Sequence, residues 1–414
     1  MELRDYQKEA VRQGLGILKR EAILYLALET RTGKSLISLS IASVIGKPVL
    51  FVTKKKAIPS ILSDYQKAGF TFPLDVTNYE QLKNYSNKGR LVIIDEAHGT
   101  GAFPKPSLRA KQLREITKGC PVILLSATPT PESHSQIYHQ LWCANAAMPF
   151  IQQYKNFYAW AKDFVAITEK RIGTGQMVKD YSEGKEDLII PMIAPITITL
   201  TQAQAGFSET DIDEIFLEAP APPRILEIAK SIKKDRIYKA EGWTATADTA
   251  AGRVSKLHQL CGGTILDDTG TAHTIALHKI PLVLEMSKRY PKLAIYYKFN
   301  GEGDLLRAIL GELIRETWQG FQESEWGIYL SQFQSGREGI NLSTADAILF
   351  YNMDHAYLSY EQTRNRLQKI DRDRKGVIIF LQTARGLERA IYDVVRKKEN
   401  YTASHYRAGS RDAW

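Results

Sequence analysis

The sequence predicts an α/β chain built on two parallel sheets, and three observations carry that expectation. Short, continuous apolar runs, of which Leu91-Val92-Ile93-Ile94 is the clearest, recur between amphipathic helical stretches. Runs without polar alternation read as strands covered on both faces, and strand–helix alternation implies right-handed parallel crossovers. The pattern occurs twice, from about residue 1 to 145 and again from about 276, and 414 residues are more than one core usually organises.

In the first block the expected strands are Ile23–Leu28, Pro48–Thr53, Leu91–Ile94 and Pro121–Ser126, with helices at Ser35–Ile45 and Ser107–Thr117. The second block offers strands Leu293–Lys298, Gly327–Ser331, Ala347–Tyr351 and Gly376–Leu381, with helices over 302–317, 358–370 and 385–398. Between the blocks the texture changes. Residues 146–190 carry Phe150, Tyr154, Phe157, Tyr158, Trp160 and Phe164 without strand-like alternation, as expected of a small helical insertion. Those aromatics either close the first core or bind a partner. Ala219-Pro220-Ala221-Pro222-Pro223 is a turn-rich extended segment, and Arg224–Leu260 reads as one or two polar helices leading into the second domain. The expected division is a first domain over 1–145, insertion and linker over 146–222, a second domain over 223–400 and a flexible tail over 401–414.

Composition narrows the function classes. With 44% apolar and 10% aromatic residues, the chain can fill several cores and is not a disordered polymer. A net charge of +9 favours polyanionic partners. Cys120, Cys143 and Cys261 are few, far apart and without zinc spacing, so they read as buried apolar fillers in a reducing compartment. No apolar run approaches the roughly 18–20 residues a membrane span needs, and the first residues lack signal-peptide character. No membrane partner and a cytoplasmic location are the expectation.

Two segments carry chemistry. Leu28-Glu29-Thr30-Arg31-Thr32-Gly33-Lys34-Ser35 stands between a strand and an amphipathic helix, which is the setting of a phosphate-binding loop. Backbone N–H groups at the helix start cradle phosphates, Lys34 neutralises the β/γ charge, and the Ser35 hydroxyl suits Mg²⁺. The first glycine of the full pattern is absent, with Leu28 in its place, and Arg31 stands where a second glycine is usual. Asp95 and Glu96 end the strand at 91–94, where parallel sheets bind ligands. Adjacent carboxylates there are costly unless a cation uses them. Asp95 would hold the metal, and Glu96 would orient or deprotonate an attacking water. ATP with Mg²⁺ is therefore the expected cofactor.

In order, these pieces resemble the motifs of superfamily 2 helicases and translocases, closest in texture to the Swi/Snf-like branch and its small phage-type or prokaryotic members. Leu3-Arg4-Asp5-Tyr6-Gln7 resembles the upstream motif in which the glutamine reads adenine, with Arg4 beside it. Thr32-Gly33-Lys34-Ser35 resembles motif I. Asp95–His98 resembles a DEAH-type motif II and Ser126-Ala127-Thr128 motif III. Val49–Thr53 with Lys54-Lys55-Lys56 sits where motif Ia contacts a nucleic-acid backbone, a solvated charge run being the lesser alternative for the lysines. Thr77-Asn78-Tyr79-Glu80 is similar to the branch's Tyr-Glu segment.

In the second block Val254–Leu260, Ala294–Phe299, Ser335–Leu342 and Gln362–Lys369 resemble the helix before that domain's core and motifs IV, V and VI. The resemblance spans both α/β blocks and implies two RecA-like domains closing on ATP. Gly336, Gly339 and the motif VI cations would act opposite Lys34. Arg366 is the expected arginine finger, and the second cation is either Lys369 or Arg372, because lysine lacks the planar fork of arginine. Phosphate contacts are expected from Lys54, Lys56, Thr128 and Ser335. The implied activity is a nucleic-acid-stimulated ATPase moving along or remodelling DNA, with double-stranded DNA the expected track. RNA as the track and a nucleotide-switched binding module without motor activity are the alternatives.

Overall fold

In the computed structural model the described residues are 2–144, 151, 153–171, 177–206, 212–333, 342, 344–364, 367 and 375–397. They divide into two compact units, Met1–Glu209 and Thr210–Trp414.

The first unit is a six-stranded parallel sheet in the order Leu74–Asn78, Val49–Thr53, Leu91–Asp95, Val122–Leu125, Ile23–Leu28, Thr197–Leu200. Its central strands are the continuous apolar runs, and their residues alternate between two cores. Ile23, Tyr25, Val92, Ile94, Val122 and Leu124 face one side, where they pack with helices Leu108–Ile116, Ile137–Ala144 and Phe157–Phe164. Leu24, Leu26, Ile93, Ile123 and Leu125 face the other, under helices Asp5–Glu21, Lys34–Ile45 and Ile58–Lys67. Side chains on a strand alternate by two, so a run without polar residues fills both faces. Each such side chain contributes about 1.5–3 kcal/mol relative to an exposed one.

Beyond residue 150, helices Phe157–Phe164 and Glu186–Ile193 flank a short antiparallel pair, Thr168–Arg171 with Met177–Asp180. The aromatics there close the first core. Phe157 and Trp160 are buried against Tyr138, with Tyr154 and Phe164 packed beside them, while Tyr158 stays 42% exposed. Phe150 lies outside the described residues.

The second unit is a five-stranded parallel sheet in the order Gly327–Gln332, Lys292–Tyr297, Ala347–Phe350, Gly376–Thr383, Ile212–Ala219. Helices Ile280–Arg289, Asn300–Leu310, Tyr357–Arg364 and Glu388–Arg396 belong to it. The stretch read as one or two polar helices over 224–260 is two helices, Pro223–Lys234 and Ala250–Cys261, separated by an antiparallel hairpin, Ile237–Ala240 with Trp243–Thr246. The hairpin turns at Gly242, whose φ is 82°, and Tyr238 and Ala245 bury it in the core of that unit. Tertiary burial of alternate residues decides for strand where helical spacing was read.

All three cysteines are buried free thiols. Among the described residues no helix is long and apolar enough to cross a membrane.

Candidate functional site

Register places the chemistry-bearing segments of the first unit at one edge. Leu26, Leu125 and Asp95 stand side by side on three adjacent strands, and Val52 pairs with Ile94 one strand further. The residues that follow those strands therefore emerge together at their carboxyl ends. They are Glu29–Lys34, Ser126–Thr128, Glu96–His98 and Lys54–Lys56.

The loop before helix Lys34–Ile45 is held from several sides. Gly33 caps the helix at φ 87°, where a Cβ would lie 2.3 Å from Gln7 Nε2, so only glycine fits. Gln7 is buried and uses both ends of its amide. Its Oε1 accepts from Arg4 N at 3.0 Å, and its Nε2 donates to Thr32 O at 3.2 Å, beside Tyr6 Oη, which donates to the same carbonyl at 3.2 Å. Thr32 Oγ1 donates to Glu29 O at 2.8 Å. Arg31 sits at φ 65°. A left-handed conformation costs a non-glycine residue about 1–2 kcal/mol and persists only where the surroundings fix it.

Lys34 Nζ donates to Leu28 O at 2.9 Å and Glu29 O at 3.1 Å. Burial of the ammonium pulls its pKa down, while the charges of Glu96, Asp95 and Glu29 push the other way. The ammonium thus rests on neutral carbonyls with carboxylates in electrostatic reach. Ser35 is in the first turn of the helix, where its carbonyl accepts from Ser38 Oγ at 2.8 Å.

Asp95 accepts from Thr53 Oγ1 at 2.7 Å on one oxygen and from Glu96 N at 3.0 Å on the other, and Tyr79 Oη donates to its backbone carbonyl. Burial first and the Glu96 charge second raise its carboxyl to about 6, against the lowering pull of Thr53 and Lys34. Glu96 itself adopts φ 52°. Its Oε2 is buried, lies 3.3 Å from His98 Nδ1, and makes no hydrogen bond among the described residues. That imidazole nitrogen engages Ser126 Oγ at 3.0 Å, and Ser126 Oγ also accepts from Thr128 N at 3.1 Å. Thr128 Oγ1 is buried without a hydrogen-bond partner among the described residues. Orphaned buried oxygens carry a desolvation cost of about 1–3 kcal/mol each. Two of them at one sheet edge, next to a lysine and a strained glutamate, mark a place where polar ligands complete the bonding.

Of the residues singled out by sequence, Arg4, Gln7, Thr32, Gly33, Lys34, Ser35, Asp95, Glu96 and Thr128 meet at this edge. Lys54 caps the short helical turn Lys55–Ala57 after strand Val49–Thr53, and burial lowers the pKa of Lys56. Ser335, Gly336, Gly339, Arg366, Lys369 and Arg372 lie outside the described residues. Sequence reasoning assigned no role to Thr53, Tyr79 or Gln202. Thr53 was visible as a hydroxyl residue at the end of the strand beside the carboxylate strand, and Tyr79 as one just past the strand beyond it. Gln202 carried no local signal: its backbone N donates to Glu29 Oε2 at 2.7 Å and its Nε2 to Thr30 O at 2.9 Å.

No protein-family model and no curated protein matches the chain. Among solved structures it is similar to the Sulfolobus solfataricus SWI2/SNF2 ATPase core in complex with dsDNA, at 17% identity over 100% of this chain and 94% of that chain, with a TM-score of 0.42.

Proposed function

We propose that the chain is an ATP-driven nucleic-acid motor of the superfamily 2, Swi/Snf-like kind with a DEAH-type second motif, acting on double-stranded DNA. The observation that carries this reading is the convergence of Lys34, Asp95 and Glu96 at one sheet edge, with a buried Glu96 oxygen left without a hydrogen bond. A purely structural cluster would pair the lysine with a carboxylate. This one holds the charges near each other with Lys34 bonded only to neutral carbonyls.

The residues fit a magnesium nucleotide. Helix Lys34–Ile45 presents its first N–H groups and Lys34 to a triphosphate. Lys34, now on the Leu28 and Glu29 carbonyls, would neutralise phosphate charge, and Ser35 and Asp95 would hold the cation. When bound, Mg²⁺ neutralises phosphate charge. Among the described residues no group of three or more acidic, histidine or cysteine side chains is set to hold a metal ion. Glu96 Oε2, free of a hydrogen bond, is the acceptor that orients and deprotonates the attacking water. The resemblance assigns base reading to Gln7, whose amide bonds Arg4 N and Thr32 O. The parts of Gly336, Gly339, Arg366, Lys369 and Arg372 in this chemistry rest on their sequence alone.

Lys54, Lys56, Thr128 and Ser335 are the proposed contacts to nucleic-acid phosphates. Comparing phosphate release with duplex DNA, single-stranded DNA and RNA tests the track, and duplex DNA is expected to stimulate most. Stimulation by RNA alone would move the track to RNA, and tight ATP binding without stimulated release would make the chain a nucleotide-switched module. Lys54→Ala with Lys56→Ala should reduce the log–log salt slope of DNA affinity by about 2. An unchanged slope would remove these lysines from the interface.

A further inference from the structure

We infer that Gln202 is a positioning residue for the phosphate loop, fixing its strained turn from the segment that leads out of the first unit. The inference rests on the nucleotide reading above for its consequence, though not for its geometry. Gln202 follows strand Thr197–Leu200, the sheet neighbour of the strand that ends in the loop. It makes three hydrogen bonds to that loop. Its backbone N donates to Glu29 Oε2 at 2.7 Å, and its Nε2 donates to Thr30 O at 2.9 Å and to Thr30 Oγ1 at 3.3 Å. The segment around it is itself ordered by local caps, since Gln204 Oε1 accepts from Thr201 N at 2.9 Å and Thr201 Oγ1 accepts from Gln204 N at 3.2 Å.

The need for such a strut follows from the loop's own sequence. Arg31 stands in left-handed backbone at φ 65° where glycine would adopt that conformation freely. A strained turn keeps its shape only if its flanks are fixed. The carbonyl after Arg31, Thr32 O, is held by Gln7 and Tyr6 from the first helix. The carbonyl before it, Thr30 O, is held by Gln202. The peptide group just before the strained residue and the next but one after it are thus clamped from opposite ends of the unit's sequence. Gln202 also bonds Glu29, whose carbonyl carries the resting Lys34 ammonium.

Gln202→Glu tests this at constant shape, because it replaces the Nε2 donor by an acceptor facing Thr30 O. Three readouts are compared in the full chain: thermal unfolding, hydrogen exchange of the amides over residues 29–35 without nucleotide, and affinity for Mg·ATP. The expected result is an unfolding temperature within a few degrees of wild type, loop exchange about tenfold faster and Mg·ATP affinity about tenfold weaker, the scale of one or two lost hydrogen bonds. The same substitution made on Arg31→Gly should cost much less in both loop exchange and affinity, since glycine removes the strain the strut opposes. An equal cost in both backgrounds, or loop exchange unchanged by Gln202→Glu, overturns the inference. If wild type binds no Mg·ATP, the functional reading fails, and the exchange data still decide whether Gln202 holds the loop.

Discussion

Two lysines at the carboxyl ends of two parallel sheets are settled in opposite ways. In the second unit Lys279 is fully buried, and its ammonium donates to Tyr351 O at 2.8 Å, Leu381 O at 3.1 Å and Glu388 Oε1 at 2.8 Å. It ties two strand ends to helix Glu388–Arg396 and pairs with a buried carboxylate. In the first unit Lys34 rests on two carbonyls, while Asp95 and Glu96 lie within electrostatic reach without a bond to it. The first arrangement spends every ammonium bond on the fold, although Glu388 Oε2 has no hydrogen bond among the described residues. The second keeps a cation and two anions ready to exchange partners. A buried charge that is paired within the fold holds structure, whereas one left on weak neutral acceptors marks chemistry.

The sharpest way to break that contrast is to remove each lysine. Lys279→Met leaves Glu388 buried and unpaired, and should destabilise the protein by about 3–5 kcal/mol in urea unfolding. Adding Glu388→Gln should recover much of the loss. Lys34→Met should leave unfolding within about 1 kcal/mol of wild type and lower ATP turnover by about 10³-fold or more, the scale of electrostatic stabilisation in phosphoryl transfer. Equal destabilisation by both would erase the distinction.

What the sequence showed of this contrast depended on how local the signal was. Ile23–Leu28, Leu91–Asp95 and Val122–Leu125 were legible because strands covered on both faces need apolar residues at every position. The loop and the carboxylates followed, since their chemistry requires those residue types at strand ends. Thr197–Leu200 and Ile212–Ala219 were not seen. The second carries Asp213, Glu214 and Glu218, and its place is fixed by pairing with Gly376–Thr383 far along the chain. Lys279 and Gln202 were silent for the same reason: their partners are distant in sequence and close only after folding.

A smaller effect separates the two edges by pH. Because burial and Glu96 raise the Asp95 carboxyl to about 6, the folded protein binds that proton more tightly than the unfolded chain does. Stability contributed by the neutral form is therefore lost as pH rises from about 4 through about 6. Asp95→Asn removes the penalty while keeping the shape. It should raise stability by about 1 kcal/mol above pH 6, with the gain vanishing below about pH 4, as followed by denaturant unfolding across that range. A gain that persists at low pH would mean the carboxyl is not strained by its neighbours. Comparable in size, Thr128→Val removes an orphaned hydroxyl and should raise stability by about 1 kcal/mol, the low end of its desolvation cost. A loss above about 1 kcal/mol would show that the hydroxyl is satisfied in solution.

The central claim, that the open edge of the first unit hydrolyses ATP, is tested most directly by phosphate release from Mg·ATP with and without duplex DNA, for wild type and Glu96→Gln. The account predicts DNA-stimulated release by wild type, and a variant that binds the nucleotide but releases phosphate about 10²-fold more slowly or worse. Release at the wild-type rate by Glu96→Gln would contradict it.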